Sequence, residues 1–395
     1  MSVSRSSAAG LSAGTALLLA AACGLAVANV YYTQPLLGLL AEQFGVPIAA
    51  VGSIVTVVQV FYALGLLLIV PLGDLLSRRR LTVLLLLLIA AGLLAAAWSS
   101  SFFMLLAGLA LVGLTAVVTQ ILVNFASALA AEEQRGRIVG IVTSGVVIGI
   151  LLARTFAGVI SDLAGWRAVY VASSLLTAAA ALTLSALLPA DDADKSSLSY
   201  GRLLLSVLRL FREERLLRTR AALAFCVFTA FGILWTPLAL PLGEAPFFLS
   251  PSAIGAFGLA GAAGALGAVG AGRLADRGLG ERTTGVALIL LLLSWLPIGL
   301  LHHSLVLLVV GILLLDFAVQ AVHVTNQSLL YAALPEARGR LTGAYMTFYS
   351  IGSALGAFVS TRAYAAYGWT GVSLLGAFVS LAGLAFWIST QTRRR

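Results

Sequence analysis

The chain reads as an all-α membrane protein, with twelve transmembrane helices in two six-helix bundles that repeat in parallel. Three observations predict this. Of 395 residues, 61% are hydrophobic and only 10% charged, too few charges to wet a soluble domain of that length. Apolar stretches able to cross a bilayer core, about 20 residues each, recur twelve times along the chain. The two halves also match each other at a constant offset of 202–203 residues.

The spans fall at about 14–40, 50–72, 81–98, 103–130, 138–161, 167–189, 219–243, 252–272, 283–301, 304–333, 341–362 and 369–391. Arg5 before the first apolar run imitates a signal peptide, but the run's length and the eleven spans behind it argue for an uncleaved helix. Lys and Arg in the loops set orientation. With the N-terminus in the cytoplasm, 21 of the 24 basic residues are cytoplasmic, and the outer loops keep only Arg167 and Arg362. The protein is then expected in the cell (inner or plasma) membrane, multi-pass, with both termini cytoplasmic.

Three units follow: residues 1–189 as the N-terminal bundle, 190–218 as a cytoplasmic linker, and 219–395 as the C-terminal bundle. Within the linker, Tyr200–Leu217 has apolar residues at helical spacing with basic residues between them. That predicts an amphipathic helix on the membrane surface. The net charge of +9 does not indicate nucleic acid, because the basic residues are spread over short loops.

The repeat is specific. GRIVGIVTSGVVIG from Gly136 aligns with GRLTGAYMTFYSIG from Gly339, and Gly165–Trp166 recurs as Gly368–Trp369. Gly52 recurs as Gly255, Pro35 as Pro237, Asp74 as Asp276, and Glu133 with Arg135 as Glu336 with Arg338. Each half has six spans, so both enter the membrane in the same sense, and a solute site is expected between them near the midplane.

Span ten carries the polar face of the molecule. Asp316, Gln320, His323, Gln327 and Tyr331 follow at steps of 4, 3, 4 and 4, which places them on one side of a helix. Asp316 is the one acid well inside a span, and Arg154 in span five is the one basic residue at depth. Unpaired charges there are costly. Two readings stand. Arg154 and Asp316 pair across the halves as a tie or gate, or Asp316 titrates while Arg154 attracts an anionic solute. His323, two turns from Asp316, suits a proton relay. Glycines are dense in span eight (Gly255, Gly258, Gly261, Gly264, Gly267 and Gly270), which suits a sliding surface between the halves.

Charges of both signs share the cytoplasmic helix ends: Asp74, Arg78 and Arg79; Glu133, Arg135 and Arg137; Asp276 and Arg277; Glu336, Arg338 and Arg340. Such groups can clasp helix ends, and breaking and remaking the clasp gives a two-state gate. Other chemistry is missing. Cys23 and Cys226 lie in apolar segments and form no disulfide framework or metal pair. GLSAG at Gly10–Gly14 imitates a hydrolase elbow without its strand or histidine. No Walker loop is present. No enzyme activity, cofactor or metal is expected.

VPLGDLLSRRR at Val70–Arg80 and GRLADRGLGER at Gly272–Arg282 resemble the signature loops of the major facilitator superfamily, in which an aspartate follows a glycine by four residues and basic residues come next. GVVIGILLARTFAG in span five resembles the glycine-rich motif of the drug–proton antiporter branch, with Arg154 as a departure. The resemblance implies a cavity lined by spans one, four, seven and ten. Its candidate solute-binding residues are Asn29, Tyr31, Tyr32, Thr33 and Gln34 before Pro35; Gln120, Asn124 and Ser127; Trp235 and Thr236 before Pro237; and Gln320 and Gln327, with Gln59 and Tyr345 from spans two and eleven. It further implies a monomeric secondary transporter. The two bundles rock, and proton-coupled efflux of small, partly apolar compounds uses Asp316, His323 and Arg154. A facilitator or importer of a small metabolite anion held by Arg154 is the alternative.

Overall fold

In a computed structural model of the chain, residues 13–131, 134–189, 199–267, 269–333 and 338–392 are described. Ten of their helices are long and apolar enough to cross a membrane: Ile48–Asp74, Arg78–Ala97, Phe102–Leu129, Arg135–Ala164, Trp166–Leu187, Arg215–Gly243, Pro251–Leu274, Arg277–Gly299, Leu305–Ala333 and Gly339–Thr392. The shorter apolar helix Ala13–Ala28 precedes them. The last is two spans, because the long helix Arg338–Thr392 is broken at Gly368 (φ 61°, ψ −158°). Spans one to twelve are thereby accounted for, in the order the hydropathy predicts. A helix is the natural form here, since lipid offers no partner for a bare backbone N–H or C=O.

The breaks follow from local chemistry. Span one is not continuous: Ala13–Ala28 ends, residues 29–33 form turns, and the 3-10 segment Gln34–Leu36 leads into Leu37–Phe44. Pro35 has no N–H to donate and cannot sit in a helix interior. Span seven repeats this, with a turn around Pro237 before the short helix Ala239–Gly243. Spans five and six meet through one residue, Gly165 (φ 82°), as spans eleven and twelve meet through Gly368. Only glycine adopts such backbone angles without strain.

Close contacts then assemble the bundles. In the first, a Cβ on Gly149 of span five would lie 2.2 Å from the Gly24 carbonyl of span one. In the second, a Cβ on Gly352 of span eleven would lie 2.4 Å from the Phe225 carbonyl of span seven. Gly149 and Gly352 are repeat equivalents, and each lets its span touch the first span of its own bundle. Small residues permit such approach.

The bundles meet mainly through span five against span eight and span two against span eleven. One face of the molecule carries Arg78–Arg80, Arg135, Arg137, Arg277 and Arg340, and the other face lies opposite. At this far face the halves are sealed by backbone. A Cβ on Gly158 would lie 2.2 Å from the Pro251 carbonyl, and one on Gly52 would lie 2.6 Å from the Ala357 carbonyl. Thr56 donates to the Ala354 carbonyl at 3.2 Å, and Thr361 donates to Ala49 at 3.4 Å. Asp162 accepts the Ser252 N–H at 3.0 Å, so an acid of one bundle caps the first turn of span eight in the other, where the helix dipole favours negative charge.

At the basic face a cavity of about 370 Å³ lies between the halves, lined by Leu66, Asp74, Arg78, Asn124, Arg340 and Gly343 among others. The surface helix Tyr200–Glu213 borders it through Leu203 and Val207. It is shorter than the predicted Tyr200–Leu217, since Glu214 is extended and Arg215 already starts span seven. Its Tyr200 hydroxyl donates to the Leu68 carbonyl of span two at 2.7 Å, and its Phe211 stacks on Phe348 of span eleven at 4.9 Å.

The far-face seal yields a prediction. Gly158→Val should overpack the contact with Pro251 by about 1–3 kcal/mol and favour its opening. With Cys23 and Cys226 replaced by serine, a cysteine at buried Leu240 beside this seam should then react faster with an aqueous maleimide; an unchanged rate would refute the seal.

Candidate functional site

Span five carries Arg154 to the junction of the bundles, and span ten carries Asp316 there. Both are buried, at 4% and 5% exposure. Span eight passes between them and presents glycine to each. A Cβ on Gly255 would meet the Arg154 carbonyl at 2.3 Å, and one on Gly261 would meet Asp316 Oδ2 at 2.1 Å. The glycine stripe therefore has two uses. Gly255 and Gly258 face span five of the other bundle, while Gly261 and Gly264 face span ten of their own.

The two charges form no direct ion pair. Trp235 stands between them. Its Nε1–H donates to Asp316 Oδ1 at 3.2 Å, and its ring lies 3.9 Å under the Arg154 guanidinium carbon. Tyr31 and Phe231 rings lie 5.3 and 5.8 Å from that carbon. Cation–π attraction of this kind is strongest where water is excluded. Arg154 Nε donates to Gln34 Oε1 at 2.7 Å, whereas its buried Nη2 has no hydrogen-bond partner among the described residues. Of the two readings of Arg154 and Asp316, direct pairing or separate roles, the geometry shows neither alone: the two groups are linked through an indole.

Aromatic residues continue the site toward the basic face. The Tyr31 and Tyr349 hydroxyls, on spans one and eleven, pair at 2.7 Å. Phe228 contacts the Tyr349 ring at 3.8 Å between centroids and meets His323 edge-on at 5.4 Å. His323 Nδ1 lies 3.1 Å from the Tyr345 hydroxyl. Gln320 and Gln327 are partly exposed on the same helix, and Tyr331 pairs with Thr342 at 2.8 Å.

Several sequence-selected residues sit elsewhere. Asn29 accepts from Ser173 at 2.6 Å and donates to Thr177 at 3.5 Å, both on span six of its own bundle. Tyr32 packs on Phe156 at 5.4 Å. The turns at residues 29–33 rotate successive side chains apart, so Tyr31 reaches the centre while its neighbours do not. Gln59 is buried on span two, with no partner for its Oε1 among the described residues. Gln120 is partly exposed, and Asn124 lines the basic-face cavity.

At the basic face, Arg78 pairs with Asp74 of the same turn at 3.9 Å and donates to the Gly73 carbonyl at 3.2 Å. A pair this exposed contributes little alone. Arg79 donates to the Ser185 carbonyl of span six. Arg340 shares the cavity wall with Asp74, while Arg135, Arg137 and Arg277 are exposed. Glu133 and Glu336, and the side chains of Asp276 and Arg338, lie outside the described residues.

Arg154 is not the only deep cation. Arg220, counted among the cytoplasmic basic residues, is 1% exposed and forms an ion pair with Glu281 of span nine. Trp387 and Gln391 donate to the other Glu281 oxygen at 3.2 and 2.9 Å. A signal was present: on the helix starting at Arg215, Arg218 shares its face, whereas Arg220 is about 200° round from Arg218. Phe228, Phe231 and Tyr349 were also passed over, although Phe228, Phe231 and Trp235 follow helical spacing.

The family model of the Major Facilitator Superfamily matches residues 17–282 and 223–395. The transporter YgaY of Escherichia coli O157:H7 is 49% identical over 377 residues, 95% of each chain. The inner membrane transport protein YnfM of Escherichia coli K12 is 28% identical, over 94% of this chain and 89% of its own. Among solved structures, a bacterial homologue of the human lysosomal transporter Spinster, inward-facing and occupied, superposes with a TM-score of 0.79 over 96% of both chains at 16% identity.

Trp235→Phe would keep a ring under Arg154 but remove the donor to Asp316. Leaving a buried acceptor short of a partner costs about 1–3 kcal/mol, so the melting temperature in detergent should fall. In a double-mutant cycle with Asp316→Asn the two losses should not add; additivity would mean the indole N–H contributes nothing to the acid.

Proposed function

Since this chain belongs to the Major Facilitator Superfamily, we propose that it is a secondary active transporter in which proton binding at Asp316 drives efflux of small, partly apolar compounds. Asp316 carries the proposal: a carboxyl group at the bundle junction, held by one indole N–H and separated by that indole from the Arg154 guanidinium. Gaining or losing a proton there changes the buried charge by one, and buried charge is what a low-dielectric junction resists most. The two protonation states thus favour different arrangements of the bundles around the site.

The basic face is assigned to the cytoplasm by the distribution of arginines. The cavity of about 370 Å³ then opens inward and the sealed face is external. The similarity to the inner membrane transport protein YnfM supports an inner-membrane location. The rings of Tyr31, Phe228, Phe231, Trp235 and Tyr349 suit a solute with an apolar body. One observation favours a second reading, import or facilitated passage of a small metabolite anion: Arg154 Nη2 is buried without a partner among the described residues, and a carboxylate would supply one.

The two separate in everted vesicles loaded with a proton-sensing dye. Candidate compounds should cause proton release with wild type and none with Asp316→Asn. Passage of labelled compound without proton movement would overturn the coupling and favour the anion reading.

A further inference from the structure

Arg220, Asn326, Tyr345 and His323 form a hydrogen-bonded chain inside the second bundle. It runs from the Glu281 ion pair near the basic face to the aromatic centre. Asn326 is fully buried, and Tyr345 is 1% exposed. Arg220 Nη1 donates to Asn326 Oδ1 at 3.4 Å, Asn326 Nδ2 donates to the Arg220 carbonyl at 3.5 Å and to the Tyr345 hydroxyl oxygen at 3.4 Å, and that oxygen is 3.1 Å from His323 Nδ1.

The donor directions in this chain are determined at its charged end. A guanidinium only donates, so the amide oxygen of Asn326 must face it. A backbone carbonyl only accepts, so the amide nitrogen must face the other way. The Tyr345 oxygen therefore receives a proton from Asn326. Among the described residues its own hydroxyl proton has one acceptor in reach, His323 Nδ1, and leaving it unbonded would cost a buried donor. His323 Nδ1 is then an acceptor, and the ring proton is on Nε2. Nε2 has no hydrogen bond among the described residues, and His323 as a residue is partly exposed.

We propose that Arg220, acting through Asn326 and Tyr345, sets His323 as the Nε2–H tautomer and so gives the central site a fixed hydrogen-bond donor. Arg220, Asn326 and Tyr345 are positioning residues. The solute group this edge fits is an oxygen acceptor such as a carbonyl, ether or carboxylate. That consequence rests on the transporter reading, whereas the tautomer does not.

The test is nitrogen-15 NMR of histidine-labelled full-length protein in lipid nanodiscs, with His302→Asn and His303→Asn at the exposed far-face turn so that His323 reports alone. Protonated Nε2 and bare Nδ1 are expected. Asn326→Asp turns the donor to Tyr345 into an acceptor, so Tyr345 must donate to the aspartate and Nδ1 should become protonated. Tyr345→Phe, which keeps the ring, removes the link and should give a mixture of tautomers; it decides the matter if the aspartate variant does not fold. A protonated Nδ1 in the starting protein, or bare Nδ1 retained in every variant that folds, overturns the proposal. Neither result bears on whether Asp316 couples protons.

Discussion

The stacking of the Arg154 guanidinium on Trp235 is the contact around which the centre is built. A cation from one bundle and an acid from the other are both withheld from water, and one indole serves both, with its face to the cation and its N–H to the acid. Direct pairing would have made a strong, short contact that is slow to part. Interposing a ring lowers the charge-to-charge attraction while keeping both groups solvated by protein. An element that must separate and rejoin gains from that compromise, because a buried pair stripped of one partner is far more costly than one never closely made.

This centre requires neighbours without side chains. Span eight can thread between Arg154 and Asp316 only because Gly255 and Gly261 leave their backbone bare there. The same device recurs where span five lies on span one and span eleven on span seven. Lipid supplies no hydrophobic drive for helices to associate, so contact area and backbone proximity do that work. The fold is thus a set of glycine-permitted approaches, and the polar residues occupy the places where those approaches leave room.

The fold was largely legible in the sequence, since hydropathy, proline and glycine act locally. Twelve apolar runs, the interruptions at Pro35 and Pro237 and the joint at Gly368 each depend on a few adjacent residues. The stripe from Asp316 to Tyr331 was legible for the same reason, as a periodicity within one helix. What was not legible depends on rotation and on partners distant in the chain. Asn29 turns to span six because the helix ends at its position, which no periodicity encodes. Arg220 looked like one more cytoplasmic arginine, and its partners Glu281 and Asn326 lie on other spans, far off in the chain. Trp235 was selected, but nothing in its surroundings along the chain places it between Arg154 and Asp316.

The one-residue joints at Gly165 and Gly368 have a further consequence. A protease needs several residues of extended, detachable chain to engage its substrate, and a folded insertion needs a loop tip from which to leave and return. A turn made by one glycine at positive φ offers neither. At these two hairpins the far face is closed to digestion and to grafted epitopes alike, so enzymatic trimming of the intact protein has to begin elsewhere.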